Sequence, residues 1–167
     1  RERERERLWF YDLLSTQTSA SDSFIELPAD TDVSMVTRPR SAALLVPVNT
    51  HRGTHHLWAT FSEDQIDLNF SNPNVLIEFI DILLFYIANG ARLIRLDAIA
   101  FLWKELRTNC IHLDQTHEVV QLLRAIVDDC FSDCILLTAT NVPHDENLRY
   151  FGTADAAHMV YQFCVPP

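Results

Sequence analysis

Glycine is almost missing from this chain: Gly53, Gly90 and Gly152 are all that 167 residues contain. A loop that wraps several backbone amides around a phosphate needs more than that, which argues against a nucleotide cradle. Positive charge is scarce as well. Thirteen basic side chains stand against 23 acidic ones, a net charge of −10, and seven of the 13 fall within the first 52 residues. Nucleic-acid binding through phosphate contacts is therefore disfavoured, whereas neutral sugars and small metabolites remain open. No apolar run matches a membrane. The longest, Val75 to Ala88, falls short of the roughly 20 residues a span requires and is interrupted by Glu78 and Asp81. The cysteines Cys110, Cys130, Cys134 and Cys164 form no pair of close doublets of the kind that holds zinc, and read as buried or partly buried free thiols. No signal peptide is visible. Together these absences predict a soluble, cytoplasmic protein with neither nucleic acid nor membrane as partner.

What is present is ordinary for a globular protein, 48% apolar and 22% charged. The length allows one domain with a core and is too short for a complete barrel of eight βα units, typically about 250 residues. Arg1 to Arg7 alternates Arg and Glu, a period-two charge repeat suited to neither an amphipathic helix nor a half-buried strand, and residues 1–8 read as a solvated tail. Ser15 to Ser23 has a loop composition. Ser41 to Val48 and Leu57 to Phe61 read as strands joined near Arg52-Gly53, a hairpin signal. Residues 9–71 therefore form an irregular, partly β excursion.

The texture changes at Asn72-Pro73, an N-cap followed by the residue best suited to a first helical position. Val75, Leu76, Phe79, Ile80, Leu83, Leu84 and Ile87 follow the helical period, and Asn89-Gly90 supplies the stop. ARLIRL, 91–96, then reads as a buried strand, within the run ARLIRLDA that ends at Ala98. Val119, Leu122, Leu123, Ile126, Val127 and Cys130 mark a second helix, and CILLTA, 134–139, a second strand. A shorter helix is expected near Asp145 to Phe151, with HMVYQF, 158–163, as a third strand. This order implies an α/β fold with parallel pairing and right-handed crossovers over 72–167. Three parallel strands cannot close a barrel and leave open edges.

In such folds chemistry sits at the C-terminal ends of the strands. The first strand ends in Arg95 and Asp97, two residues apart and so on one face. A cation there favours the ionised carboxylate and fixes its orientation, which suits a nucleophile. Spacing alone leaves a structural salt bridge equally open. The second strand ends in Ala139, a methyl group.

Several separated motifs occur in one order: TFSEDQIDLNFSNP, then GARLIRLDAIAFLWKE, CIHLDQTHEVVQLLR and LLTATNVPHDENLRYFG, with RPRSAALLVP before them and HMVYQFCVPP at the end. Over roughly Trp9 to Pro167 the chain resembles sucrose phosphorylase and the related sugar phosphorylases of glycoside hydrolase family 13, the α-amylase family. The resemblance implies a partial (β/α)8 TIM barrel, about strands four to six, preceded by the excursion that follows strand three. It implies retaining α-glucosyl transfer from an α-glucoside such as sucrose to phosphate, with no cofactor and no metal. Asp97 matches the family's nucleophile and Arg95 the arginine that orients it. Phe61 and Gln65, the latter opening QIDLN, fall where related phosphorylases line the sugar site. Asn141 and His144 fall in the loop after the fifth strand, near the acceptor.

One departure dominates. The family carries its general acid/base glutamate in a T-E-T-N motif, and this chain reads Thr138-Ala139-Thr140-Asn141. A methyl group can neither protonate a leaving oxygen nor activate an acceptor. Glu146, seven residues on and in a predicted helix, is a poor substitute. The family's upstream histidine motif and downstream His-Asp motif are not found here. The expectation is therefore negligible activity for the chain as it stands. The alternatives are a non-catalytic barrel fragment that binds sugar or associates through its open sheet edges, and an α-glucoside hydrolase. Elsewhere, His51, His55 and His56 gather near the hairpin turn. No carboxylate stands at ligand spacing, so they read as surface histidines rather than a metal site. Trp103, Lys104 and Glu105 either border the sugar site or pack in a helix. His112 and His117 read as loop and helix-start residues rather than bases.

Overall fold

The structure, a computed structural model, describes residues 21–131, 133–140 and 144–161, the side chains of Ser21 and His144 excepted. The charged tail, Asn141 and Cys164 lie outside the described residues. The chain divides between Val75 and Leu76 into two units.

In the first unit a single 3-10 turn at Ser21–Ser23 precedes an antiparallel hairpin, β1 (Leu45–Thr50) and β2 (Gly53–Trp58). Leu45 stands opposite Trp58 and Thr50 opposite Gly53, so His51 and Arg52 form a two-residue turn, with Gly53 at a φ of 128°. The hairpin lies where the sequence predicts one, but its strands are displaced. The second strand occupies Gly53–Trp58 rather than Leu57 to Phe61. Its first four residues, Gly53-Thr54-His55-His56, are polar or lack a side chain and are at most half-buried, so no apolar alternation betrays it. Ladder hydrogen bonds hold it regardless, and residues 25–27 add two more: the Trp58 amide donates to the Ile25 carbonyl and the Leu27 amide to that of His56. Phe24, Leu44, Leu57, Trp58, Ala59 and Phe70 are buried.

Helix α1 (Pro73–Ala88) begins and ends as its sequence dictates. Asn72 Oδ1 accepts the Asn74 amide at 2.9 Å, satisfying one of the free donors of the first turn. At the other end Gly90 takes a φ of 101°, its amide donates to the Ile87 carbonyl, and the Ala91 amide reaches back to Tyr86. This double closure requires a residue at ease with positive φ. Each of the seven apolar positions predicted for the inner face is buried or half-buried.

The second unit continues with β3 (Leu93–Asp97), α2 (Asp114–Cys130), β4 (Ile135–Ala139), α3 (His144–Arg149) and β5 (Met159–Val160). The strands pair in the order β3-β4-β5, all parallel, as predicted, although β5 is described as only two residues long. One sheet face is covered: Leu96 and Leu136 join Leu83, Ile87, Val119, Val120, Leu123 and Val127 in a single core cluster. The other is open, with Leu93 54%, Ile135 37% and Met159 46% exposed. Cys110 and Cys134 are buried, whereas Cys130, predicted to be at least partly buried, is exposed on the last turn of α2.

Candidate active site

The register of β3 against β4 brings the two strand ends together. Asp97 is the direct partner of Ala139, two residues above the pairing of Arg95 with Leu137. Partners across a ladder share a face, so Arg95, Asp97 and Ala139 all lie on the same side, Arg95 and Asp97 exposed and Ala139 buried at its end. Arg95 Nη2 donates to Asp97 Oδ1 at 2.7 Å, with the two side chains 53% and 71% exposed. An ion pair this wet contributes about 0–1 kcal/mol to stability, so folding alone gives little reason for it.

The backbone beyond Asp97 is strained. Ala98 adopts φ 51°, ψ 24°, a left-handed conformation that costs a residue with a Cβ on the order of 1 kcal/mol. It turns the chain from β3 into a 3-10 turn, Ile99–Phe101, whose Ile99 and Ala100 are buried. Asp97 is thereby left standing at the strand end. The following loop contains further left-handed residues at Arg107, Cys110 and His112. Trp103, Lys104 and Glu105 belong to this loop and not to a helix. The Trp103 amide donates to Thr116 Oγ1, Lys104 Nζ to the Phe101 carbonyl, and Cys110 Sγ to the Glu105 carbonyl.

Beyond β4, Thr140 and Asn147 are buried, 3% and 1% exposed. Thr140 Oγ1 donates to Asn147 Oδ1 at 2.6 Å, and Asn147 Nδ2 donates to the Tyr161 carbonyl at 3.0 Å. Asn141 lies outside the described residues, and His144 opens α3. Glu146 sits on α3, as predicted, and pairs with Arg149.

Phe61 and Gln65 belong to the first unit, in the loop after β2. Asp67, within QIDLN, clamps that loop: its carboxylate accepts the Thr60 amide at 3.0 Å and the Thr60 hydroxyl at 2.6 Å. Trp58 Nε1 donates to the same hydroxyl, and the Asp67 amide to the Trp58 carbonyl. Phe61 is half-buried and Gln65 exposed, its Oε1 accepting from Ser62. Sequence alone assigns no role to Asp67, Thr140 or Asn147. A carboxylate between the apolar Ile66 and Leu68 was the signal available for the first. Nothing local marks the other two.

One correction concerns a histidine. His55 does have a carboxylate partner, Glu26 at 2.8 Å, which comes from the segment beside β2 and is therefore invisible to local spacing. His112 lies in the loop and His117 in the first turn of α2, as expected, and both contact the buried Tyr150: His112 Nδ1 lies 2.9 Å from its hydroxyl, and the His117 ring packs on it at 4.4 Å. Burial holds both imidazoles below their ordinary pKa and pushes the Tyr150 phenol well above its own. Among the described residues no group of three or more His, Cys, Asp and Glu side chains is arranged to hold a metal ion.

The C-terminal end of a parallel strand, where Asp97 stands, is where α/β enzymes, barrels and open sheets alike, place their chemistry. The alpha amylase catalytic domain profile matches residues 43–166, and the chain belongs to that family. Within it the chain is similar to glucosylglycerate phosphorylases. It is 50% identical over 161 residues to that of Escherichia coli, covering 95% of this chain and 29% of that protein. It is 51% identical over 159 residues to that of Spirochaeta thermophila, covering 95% and 27%. The chain thus spans less than a third of these relatives' length. Among solved structures, a sucrose 6F-phosphate phosphorylase from Thermoanaerobacter thermosaccharolyticum superposes with a TM-score of 0.72 at 18% identity, over 87% of this chain and 31% of that one. Bacillus licheniformis trehalose-6-phosphate hydrolase gives 0.70 at 16% identity, over 93% and 30%. These likenesses show that the chain shares part of the fold of those proteins.

Proposed function

We propose that the chain is the segment around barrel strands four to six of a retaining α-glucoside phosphorylase, lacking the acid/base that the reaction uses. The observation that carries this reading is the pairing of Asp97, held by Arg95, with Ala139 across β3 and β4. Adjacent strands lie about 4.8 Å apart. Carboxyls on paired residues would therefore suit the separation of about 5–5.5 Å used by retaining enzymes, rather than the 6.5–9.5 Å of inverting ones. In this mechanism an Asp97 oxygen attacks the anomeric carbon, the glycosidic oxygen leaves with the bonding pair, and phosphate then displaces Asp97 to give glucose 1-phosphate. Phe61 and Gln65 would line the sugar site, with Asn141 and His144 towards the acceptor. Position 139 should protonate the departing oxygen and cannot. General acid–base catalysis typically contributes about 10²–10⁴-fold.

The identity to glucosylglycerate phosphorylases supports glucosylglycerate, ahead of sucrose, as the donor. The same reading keeps the protein cytoplasmic and without a cofactor. The test is phosphate-dependent release of glucose 1-phosphate from glucosylglycerate and from sucrose. No release above background is expected from the purified chain, and clear turnover would overturn the proposal. Glucose released without phosphate would indicate a hydrolase instead.

The open sheet face favours a second reading, in which the chain associates through its exposed Leu93, Ile135 and Met159 and the edges of β3 and β5. Size-exclusion chromatography separates the two, since a monomer at high concentration excludes edge-driven association.

A further inference from the structure

We propose that Asn147 is a positioning residue for the side chain at position 139, and that the chain keeps this positioning apparatus although the carboxylate it would serve is replaced by Ala139. The proposal rests on reading position 139 as the family's proton-transfer position. Its basis is a closed hydrogen-bonded circuit. The Tyr161 amide donates to the Thr138 carbonyl at 2.8 Å, tying the end of β5 to β4. The Tyr161 carbonyl accepts Asn147 Nδ2 at 3.0 Å, and Asn147 Oδ1 accepts Thr140 Oγ1 at 2.6 Å. Of the two neighbours of Ala139, Thr140 is thus bonded directly to the Asn147 amide, which is 1% exposed, and Thr138 is joined to it through the backbone of Tyr161. A primary amide suits this place because it presents an acceptor and a donor at once, one towards each strand. Leucine, of similar size, would leave the Thr140 hydroxyl and the Tyr161 carbonyl without these partners.

The consequence is directional. With 138 and 140 fixed, the Cα–Cβ bond at 139 points to one place on the face it shares with Asp97. Ala139 itself is 7% exposed, so a longer acidic side chain there starts from an enclosed position. The charged groups around it are Arg95 and Asp97 on β3, paired with each other at 2.7 Å. Helix α3 carries Asp145, Glu146 and Arg149, the last two joined to each other and Arg149 also to Asp114. The described part of β5, Met159–Val160, contributes no charge, and the Tyr161 phenol follows it. A carboxyl held at 139 therefore meets desolvation and the like charge of Asp97, both of which favour its protonated form. A carboxyl on a loosened backbone swings into water and escapes both.

The experiment is a carbon-13 NMR titration of the carboxyl introduced by Ala139→Glu in the 167-residue chain, with amide exchange as the check on folding. It needs no turnover. With Asn147 intact, this carboxyl is expected to bind its proton at least about tenfold more tightly than an ordinary glutamate, whose pKa is about 4.3. Adding Asn147→Ala should return it to the ordinary value while exchange elsewhere in the sheet is unchanged. Thr140→Val, which preserves volume, should do the same and serves where Asn147→Ala fails to fold. If the raised affinity survives both second substitutions, Asn147 is merely structural and the proposal is overturned, while position 139 keeps its reading. If Ala139→Glu alone titrates like a free glutamate, position 139 encloses nothing, and the proposal and the acid/base reading fall together.

Discussion

Two adjacent residues near the end of β4 show how far a single side chain can be read. Ala139 lies on the same face as Asp97, and its lack of a carboxyl was legible from sequence once the TATN motif was set against the family's pattern. Thr138 faces the covered side and is fully buried, and its Oγ1 has no hydrogen-bond partner among the described residues. That could not be read, because a threonine in a strand looks favourable until its surroundings are known. A buried hydroxyl without a partner costs about 1–3 kcal/mol relative to a bonded one, whereas a methyl in the same volume costs nothing of that kind. Thr138→Val should therefore stabilise the chain, by about 1 kcal/mol, read as a higher urea midpoint with an unchanged slope. A lower midpoint would mean that the hydroxyl has a partner after all. The neighbouring Thr140, equally buried, makes the opposite prediction, since its hydroxyl is spoken for by Asn147.

At the scale of elements, legibility follows periodicity and punctuation. Helix α1 was readable to within a residue because its apolar spacing, its Asn72 cap and its Gly90 stop all agree. The cap tests this directly. At Gly90, φ is 101° and a Cβ would meet nothing within 4 Å, so substitution there meets backbone strain and no clash. Gly90→Ala should cost on the order of 1–2 kcal/mol, measured as a lowered urea midpoint. An unchanged midpoint would show that the double closure at the end of α1 contributes nothing. The hairpin was less legible, because its polar half is held by ladder bonds that leave no mark in hydropathy. Least legible were the clamps. Asn147 reaches Thr140 and Tyr161, and His55 reaches Glu26, across distances at which no sequence period operates. The loop from Ala98 to His112 belongs with these, since four left-handed residues with side chains are dictated by its surroundings and not by turn residues of its own.

Across the second unit, the histidines couple these local arrangements to pH. His158 Nδ1 accepts the Leu136 amide at 3.1 Å, and its Nε2 lies 3.3 Å from Asp128, with Arg124 beside that carboxylate. Protonating Nδ1 would set two donors against each other at the start of β4. Desolvation is the first cause lowering its pKa, Arg124 the second, and Asp128 opposes both. His112 and His117 pack on Tyr150 within reach of Glu146 and Arg149, with burial again the leading cause of a lowered pKa in each. His117 has both ring nitrogens buried without a partner among the described residues, so no neighbour there accepts a hydrogen bond from the second N–H that protonation creates. The sign of the linkage follows. All three imidazoles bind protons less readily when folded than when unfolded, where the pKa is about 6.5. Between the two values the unfolded chain holds more protons, and stability rises with pH. Their contribution is complete above about pH 7 and is lost as pH falls through 6.5 towards the folded values, before most carboxylates titrate. Thermal unfolding followed from pH 8 to pH 5 should show a midpoint that is flat at first and then declines below about pH 6.5. His158→Gln, which keeps an acceptor for the Leu136 amide but cannot be protonated, should flatten part of that decline. A midpoint that rises on acidification would mean that these histidines gain partners for the charge on folding, contrary to the geometry around Tyr150 and Leu136.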